Sequence, residues 1–190
     1  MAEIRLDLCR FDIPSVKKIF SVDVPMIATH RENETSDEHR MEQMKTAIDA
    51  GAKYIDLEIE APACFRRELI DYANKKECEV IISYHNYETT PTLNQLESIL
   101  NICFTLGGNI AKIATMVQNQ YQLATLLGLY RHEKRLAVFG MGETGKLSRA
   151  MALLLGSEFT FAAPDKGKPT APGQLTVSEL KEIVNQLKAI

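Results

Sequence analysis

Segments with strand-like and helix-like patterns alternate along the whole chain of 190 residues, and this alternation constrains the fold more than any other feature. Strands are indicated by short apolar runs or strict polar–apolar alternation, and helices by apolar residues three or four positions apart. We predict strands at 2–9, 24–29, 53–60, 79–84, 108–116, 135–139 and 158–162. We predict helices at 13–20, 38–50, 65–76, 92–106, 121–132, 146–155 and 176–190. Seven strand–helix pairs without a linker predict one α/β domain over 1–190 with a parallel sheet.

The charged residues of two predicted strands help to choose between the two architectures that such a parallel sheet can take. An open sheet with helices on both sides needs strands that are apolar on both faces, whereas a (β/α) barrel turns one face toward its axis. Charge lies on one face only in the first strand, at Glu3, Arg5 and Asp7, and in the third, at Asp56, Glu58 and Glu60. Acidic and basic groups that neutralise each other suit a desolvated interior. We therefore favour a TIM-type (β/α) barrel over an open doubly wound sheet.

Charge and composition argue against several classes of protein. A formal net charge of −3 argues against nucleic acid and anionic membranes as partners. No apolar run is long enough to cross a bilayer, and the N-terminal residues do not resemble a signal peptide, so we expect a cytoplasmic protein. The four cysteines are widely spaced and predict reduced thiols, and the cysteines and histidines lack metal-ligand spacing. We expect no metal.

A single lysine, Lys112, interrupts the apolar strand at 108–116. Burying a charged lysine is costly, so this side chain must be paired, reach water or lose its proton. A lysine that is neutral part of the time can attack a carbonyl and form a Schiff base. The alternative is that Lys112 lies on an edge strand and extends its amine to solvent. The strand pattern alone leaves both interpretations open.

The carboxyl ends of the predicted strands carry a set of polar residues, and parallel α/β proteins place their active sites at these ends. The ends hold, in order, Arg5 and Asp7, Arg31, Glu58, His85, Lys112, Met141 and the loop 170–174. Arg149 follows in the first turns of the helix after the sixth strand. A histidine beside a reactive amine can transfer protons in imine chemistry, and arginine binds carboxylates. The alternative for His85 is a loop histidine that only bonds backbone.

The segment Gly140-Met141-Gly142-Glu143-Thr144-Gly145 matches the dinucleotide-binding fingerprint, and Asp165 follows it at the expected distance. That fingerprint belongs in the first βαβ unit of a nucleotide-binding sheet, whereas only one strand and one helix follow it here. We therefore interpret the glycines as a tight strand-to-helix turn, whose amides could still hold an anionic group.

Four motifs together resemble the type I 3-dehydroquinate dehydratases of the shikimate pathway. They are Ser83-Tyr84-His85-Asn86-Tyr87, Ala111-Lys112-Ile113-Ala114-Thr115-Met116, Met141-Gly142-Glu143-Thr144-Gly145-Lys146-Leu147-Ser148-Arg149 and Ala171-Pro172-Gly173-Gln174. Their order and spacing agree with the family along the whole chain. Glu3-Ile4-Arg5-Leu6-Asp7 resembles the family's second strand, so we expect the first strand and helix of eight to be missing. A barrel with such a gap would expose two sheet edges.

The resemblance implies a fold, a reaction and a set of site residues. The fold is a (β/α)8 barrel, usually dimeric, that needs no cofactor. The reaction is the elimination of water from 3-dehydroquinate to give 3-dehydroshikimate, so the enzyme is a hydro-lyase. Lys112 would form an imine with the substrate ketone, and His85 would be the general acid and base. The substrate's carboxylate and hydroxyls would be held by Glu3, Arg5, Arg31, Arg149, Thr170 and Gln174.

One segment departs from the family pattern. The family has Glu-Gly-Gly after the arginine that matches Arg31, and that glutamate partners the histidine. Here Arg31 is followed by Glu-Asn-Glu-Thr-Ser, so the nearest carboxylate, Glu34, is displaced by one position. Two alternatives to an active dehydratase therefore stay open. One is a degenerate relative that binds a carboxylated ligand or a partner without turnover, and the other is an aldolase-type Schiff-base lyase.

Overall fold

The computed structural model describes residues 1–167, 171 and 173–189. Six strands are formed in this part of the chain: β1 (Ala2–Arg5), β2 (Met26–Thr29), β3 (Tyr54–Glu58), β4 (Glu79–Asn86), β5 (Ile110–Met116) and β6 (Leu136–Met141). Strand β1 pairs in parallel with β2, β2 with β3, β3 with β4, and β5 with β6. The order of strands in the sheet follows the order of the chain.

The helices lie between the strands and after β6. They are α1 (Ile13–Phe20), α2 (Asp37–Asp49), α3 (Ala63–Lys75), α4 (Leu93–Thr105), α5 (Gln120–Leu127), α6 (Gly142–Gly145), α7 (Ser148–Leu154) and α8 (Val177–Lys188). Helix α1 is capped by Asp12, whose side chain accepts a hydrogen bond from the Ser15 amide. Helix α8 begins with a capping box between Thr176 and Glu179.

The sheet order confirms the predicted α/β fold class of the (β/α)-barrel type. An open doubly wound sheet reverses its strand order at a switch point, whereas the strands of a barrel follow one another around the sheet. Here each strand neighbours its predecessor in the chain. The number of strands differs from the prediction, because six regular strands and not seven are formed in the described residues.

The predicted seventh strand, at 158–162, is not a regular strand. The Glu158 amide donates a hydrogen bond to the Leu136 carbonyl of β6 at 2.8 Å, so the segment begins beside that strand. Further along, Ala163 forms an isolated parallel bridge with Thr176, at the start of α8. The chain therefore turns from β6 toward α8 within a few residues, and this turn leaves no room for a ladder of strand hydrogen bonds.

The first predicted strand is also shorter than expected. Pairing with β2 ends at Arg5 opposite Thr29, because β2 itself ends there. The chain then forms a 3₁₀ turn over Leu6–Leu8, which buries Leu6 and leaves Leu8 63% exposed. The predicted alternation therefore holds only as far as Leu6. In contrast, β4 continues beyond its predicted end to Asn86 and includes His85.

The first compact unit comprises Met1–Ser83 with Cys103–Ile110. In it, α1 packs on α2 and α2 on α3, over strands whose apolar side chains are buried. The strand register sets Arg5 opposite Thr29, and Thr29 opposite Asp56. Polar groups from successive strands therefore lie side by side near the carboxyl end of this part of the sheet.

The second compact unit comprises Tyr84–Ile102 and the chain from Ala111 onward. Strands β5 and β6 pair here from Ala111 opposite Leu136 to Met116 opposite Met141. Helices α5 and α7 pack on β6, and α7 also packs on α8. The α7–α8 contact is apolar, with Ala150, Leu175, Leu180 and Val184 buried together. The prediction of a single domain over 1–190 stays a prediction.

Two glycines of the fingerprint segment bring the end of β6 against α6. A Cβ at Gly145 would lie 2.6 Å from the carbonyl carbon of Gly140, and a Cβ at Gly140 would lie 2.9 Å from the Cα of Gly145. The Gly140 amide also donates to Ser148 Oγ at 2.6 Å. This close approach of backbone to backbone supports the interpretation of a tight strand-to-helix turn.

We expect Gly145→Ala to lower the free energy of unfolding by about 1–3 kcal/mol, because the new methyl group would meet rigid backbone. Gly128 is the matched control, since it has a helical φ of −59° and no atom lies within 4 Å of the point that a Cβ would occupy there. Gly128→Ala should be neutral or slightly stabilising. Chemical denaturation of both variants measures the difference, and equal stabilities would contradict the close approach of Gly140 and Gly145.

Candidate active site

Lys112 lies in the second unit, near the middle of β5, opposite Ala137 of β6. The residue is 5% exposed, and its Nζ lies 4.3 Å from the ring centroid of Phe161. Strand β5 stands between β4 and β6 in the sheet. The interpretation of Lys112 as an edge-strand lysine that reaches solvent is therefore wrong. The amine is instead held among protein atoms, next to an aromatic ring.

His85 is the next-to-last residue of β4, the strand beside β5. Its ring is half-buried and stacks on Tyr87, with the ring centroids 6.1 Å apart and the planes inclined by 12°. The interpretation of His85 as a loop residue is therefore wrong. A strand position fixes the backbone of this histidine, and the stacked tyrosine limits the rotation of its ring.

Hydrogen bonds tie the loop that follows His85 to the end of β5. The Asn86 side chain accepts from the amides of Glu88 and Thr89, which closes a turn. The buried Thr90 hydroxyl lies 2.9 Å from Thr115 Oγ1 and donates to the Met116 carbonyl at 2.8 Å. A hydroxyl donates only one proton, so Thr115 is the donor in the first contact. The loop after the histidine is thus fixed to the strand that carries Lys112.

Arg149 of α7 is 1% exposed, although it carries a full positive charge. Its Nη1 donates to the Phe161 carbonyl at 3.2 Å, and its guanidinium carbon lies 4.7 Å from the Phe139 ring centroid. Within the described residues, Nε and Nη2 have no hydrogen-bond partner. Burial lowers the pKa of Arg149 to about 10. Two buried donors on a cation are suited to a carboxylate, which would satisfy both at once.

The last predicted motif lies only partly within the described residues. Gln174 is half-buried, and its amide donates to the Ala171 carbonyl at 3.3 Å. Gly173 has a φ of +70°, and a side chain there would collide with the backbone of Gly142. This loop therefore lies against the turn after β6. Thr170 lies outside the described residues, so its predicted role stays a prediction.

In the first unit, Arg31 joins a buried network of polar groups. Its Nη1 lies 2.9 Å from Asp56 Oδ1 and 3.1 Å from Ser83 Oγ, and its Nε lies 3.6 Å from Glu58 Oε1. Ser83 in turn donates to Asp56 at 2.6 Å. Burial works against the charge on Arg31, but the carboxylates of Asp56 and Glu58 outweigh it and raise the pKa of the guanidinium. The network keeps Arg31 charged and fixed in place.

The other predicted binding residues of the first unit are also held by neighbours. Glu3 accepts a hydrogen bond from Thr29 at 2.9 Å. Arg5 donates two hydrogen bonds, of 2.9 and 2.6 Å, to the carboxylate of Asp7. Burial alone would raise the pKa of Asp7, but the bonds from Arg5 lower it. The mutual neutralisation that we expected of the charged strand faces is therefore present within this unit.

Glu34, the carboxylate nearest to the family's glutamate position, is exposed in the loop between β2 and α2. It lines an open cavity of about 960 Å³ in the first unit, together with residues such as Leu6, Phe11 and Gln43. Its neighbour Asn33 accepts a hydrogen bond from the Thr35 amide at 2.9 Å. The loop thus has its own turn structure, different from the flexible backbone that two glycines would give.

The aromatic residues that contact Lys112 and Arg149 were not among the predicted site residues. Phe161 faces Lys112, and Phe139 faces Arg149. Phe139 stands in the predicted sixth strand and Phe161 in the predicted seventh, and neither was assigned to the site. The sequence gives no signal for this contact, because a phenylalanine beside an amine or guanidinium and one in a core follow the same strand pattern.

The described chain has neither a cluster of metal ligands nor a helix that could span a membrane. Among residues 1–167, 171 and 173–189, no three His, Cys, Asp or Glu side chains are grouped as a metal site. All four cysteines are free thiols, and burial raises the pKa values of Cys78 and Cys103 to about 12. The helices of the described chain are too short or too polar to span a membrane.

Comparison with known proteins identifies relatives over the full length of the chain. The 3-dehydroquinate dehydratase of Methanococcus vannielii is 37% identical, with 99% of this chain and 88% of the relative aligned. The 3-dehydroquinate dehydratase of Methanocaldococcus jannaschii is 32% identical, with 93% of this chain and 86% of the relative aligned. These levels of identity over most of both chains indicate a common family.

Solved structures agree with the sequence relatives. The type I 3-dehydroquinate dehydratase of Clostridium difficile, determined with covalently modified comenic acid, has a TM-score of 0.85 at 28% identity and covers 99% of this chain and 81% of its own. The 3-dehydroquinate dehydratase of Aquifex aeolicus has a TM-score of 0.80 at 27% identity, over 97% of this chain and 86% of its own. The family model for type I 3-dehydroquinase matches residues 1–190. The chain therefore belongs to the type I 3-dehydroquinase family.

Proposed function

We propose that this chain is a 3-dehydroquinate dehydratase, which eliminates water from 3-dehydroquinate to give 3-dehydroshikimate in the shikimate pathway. Membership of the family supports the reaction. The observation that carries the proposal is the nearly complete burial of the Lys112 amine on β5, beside the strand that bears His85. A buried amine on a strand that neighbours a histidine-bearing strand is an arrangement that imine chemistry can use.

The first stage joins substrate and protein. The neutral Lys112 amine attacks the ketone carbon, and the carbinolamine that forms loses its hydroxyl as water to give an iminium. The iminium withdraws electrons from the neighbouring carbon more strongly than a ketone does, so the C–H bond there becomes acidic. His85 supplies and removes the protons of these steps. One water is released at this stage and one is consumed when the imine is hydrolysed at the end.

The second stage is the elimination itself. His85 removes the proton next to the iminium carbon, and the electrons of that bond form an enamine. The enamine expels the hydroxyl group on the following carbon, and His85 protonates the hydroxyl as it leaves as water. Hydrolysis of the conjugated iminium then releases 3-dehydroshikimate and returns the Lys112 amine. The net change is the loss of one water, with no oxidation or reduction.

The remaining predicted residues bind the substrate in this proposal. Arg149 receives the carboxylate, because two of its buried donors have no partner among the described residues. Gln174 and Thr170 are assigned to the substrate from the resemblance, as are Glu3, Arg5 and Arg31 in the first unit. The homodimer that the resemblance implies and the cytoplasmic location predicted above belong to the same proposal and take no part in the chemistry described here.

Lys112→Met tests the proposal directly. The variant keeps a side chain of similar length and volume but has no amine, so turnover should fall below detection while the fold is retained. Turnover is followed by the ultraviolet absorbance of the conjugated product, and the fold by circular dichroism. Lys146→Met is the matched control, because Lys146 is a more exposed lysine next to Glu143. Dehydration by a folded Lys112→Met protein would refute the proposal.

His85→Gln should separate the two stages. We expect kcat to fall by about 10²–10⁴-fold, since the general acid and base is lost. The ketone should still react slowly with Lys112, so covalent adduct should form without product. His132→Gln is the control, because the His132 ring contacts Glu97 and His132 is not among the predicted site residues. Normal turnover in His85→Gln would exclude His85 as the proton carrier.

Arg149→Met should weaken substrate binding while it stabilises the free protein. Loss of the carboxylate contact should raise KM by at least tenfold. The pKa of Arg149 is lower in the folded state than in the unfolded state, so the protonated side chain destabilises the folded protein. This destabilisation is present in full below about pH 10. The free energy of unfolding at pH 7 should therefore rise, by about 1–3 kcal/mol. Lower stability together with unchanged KM would show that Arg149 is structural.

A further inference from the structure

The ring of Phe161 lies directly against the amine of Lys112. The Nζ atom is 4.3 Å from the ring centroid, well within the distance at which a cation interacts with an aromatic face. Lys112 is 5% exposed, so little water competes for the amine or screens the interaction. The electron-rich face of the ring attracts a cationic nitrogen and is nearly indifferent to a neutral one.

Neighbouring groups fix the Phe161 ring in this position. The Phe159 ring meets it edge to face, with centroids 5.6 Å apart and planes at 86°, and the Phe139 ring lies at the same distance, inclined by 54°. The Phe161 carbonyl accepts a hydrogen bond from Arg149 Nη1. The backbone and the ring of Phe161 are therefore both held, and the ring face is oriented before any ligand binds.

We propose that Phe161 is a catalytic residue, whose ring face stabilises the positive charge that forms on Lys112 Nζ when the amine condenses with the substrate ketone. The proposal rests on the proposed function and adds a residue that its assignments do not include. Condensation consumes the neutral amine, the ketone and one proton, and it produces the iminium and one water. The ring contacts the nitrogen before and after this step, but only the cationic form gains from its electron-rich face.

In this proposal, Arg149 and Lys112 of the second unit have different roles. Arg149 stands over Phe139 and retains donors for a carboxylate, whereas Lys112 stands over Phe161 and carries the reacting nitrogen. The Arg149–Phe161 hydrogen bond links the two positions. Binding of the substrate's carboxylate at Arg149 would therefore leave the ring under Lys112 in place. Phe161 thus favours the imine itself and not the initial binding of the substrate.

The test replaces Phe161 with phenylalanines that carry one, two or three ring fluorines. Fluorine withdraws electrons from the ring face while it leaves the size of the ring nearly unchanged, so the variants should fold. The fraction of protein held as imine with 3-dehydroquinate is measured by borohydride reduction and intact mass. We expect the equilibrium constant for imine formation, calculated from this fraction, to fall stepwise by about tenfold in total along the series. Phe161→Tyr, which keeps an electron-rich face, should retain imine formation.

Two controls separate this effect from packing. The same fluorinated series at Phe159 should leave imine formation unchanged, because that ring meets Phe161 at its edge. The alcohol made by reducing the substrate's ketone cannot form an imine, so its affinity should be equal across the Phe161 series. The role of Phe161 would be overturned, and the proposed function left intact, by an equilibrium constant for imine formation that does not change along that series. An equal loss of affinity for the alcohol would have the same meaning. Absence of imine in the unsubstituted protein would overturn the proposed function as well.

Discussion

The burial of two basic side chains, Lys112 and Arg149, is the constraint on which the rest of the second unit depends. A cation loses several kcal/mol of hydration free energy when it leaves water, so neighbouring protein groups must offset that loss wherever such a side chain is charged. Phe161 lies against the Lys112 amine and Phe139 against the Arg149 guanidinium, and the face of each ring attracts a positive charge. The Phe161 carbonyl also accepts a hydrogen bond from Arg149. Nε and Nη2 of Arg149 have no hydrogen-bond partner among the described residues, and an anionic ligand could accept from both.

In the first unit, the loss of hydration free energy by a buried arginine is offset by ion pairs. Arg31 lies beside Asp56, Glu58 and Ser83, and the two carboxylates neutralise its charge. The two arginines therefore differ in how their charge is offset. An arginine held by carboxylates is fixed in place and contributes a fixed field, whereas buried donors without a partner among the described residues, as in Arg149, carry a penalty that binding can relieve. In the proposed function, Arg149 lowers the stability of the free protein and binds the substrate's carboxylate, a trade that is common at active sites.

The sequence predicted most of the fold and selected the residues of the candidate site, because both follow from short-range patterns. Alternation of strands and helices gave the fold class, and the rule that active sites lie at the carboxyl ends of parallel strands selected His85, Lys112 and Arg149. The alternatives for Lys112 and His85 could not be settled from sequence, since both depend on which strands are neighbours. The roles of these residues in catalysis stay proposals.

The predictions that differ from the structure share a physical reason. The segment 158–162 has the alternation of a strand, but alternation does not reveal whether a partner strand continues beside it. The first strand stops at Arg5 for the same reason, because β2 ends at Thr29. The roles of Phe139 and Phe161 were not predictable, because a phenylalanine that faces a cation and one that fills a core have the same pattern in sequence. Only the positions of Lys112 and Arg149 in space distinguish them.

In the proposed reaction, the nitrogen of Lys112 forms a covalent bond with the substrate. Reduction with borohydride during turnover, followed by proteolysis and peptide mass analysis, detects this bond. We expect the peptide containing Lys112 to gain the mass of the reduced substrate adduct, with stoichiometric loss of activity, while peptides containing the other lysines are unchanged. Continued turnover in the presence of borohydride, with an unmodified Lys112 peptide, would contradict the proposed reaction.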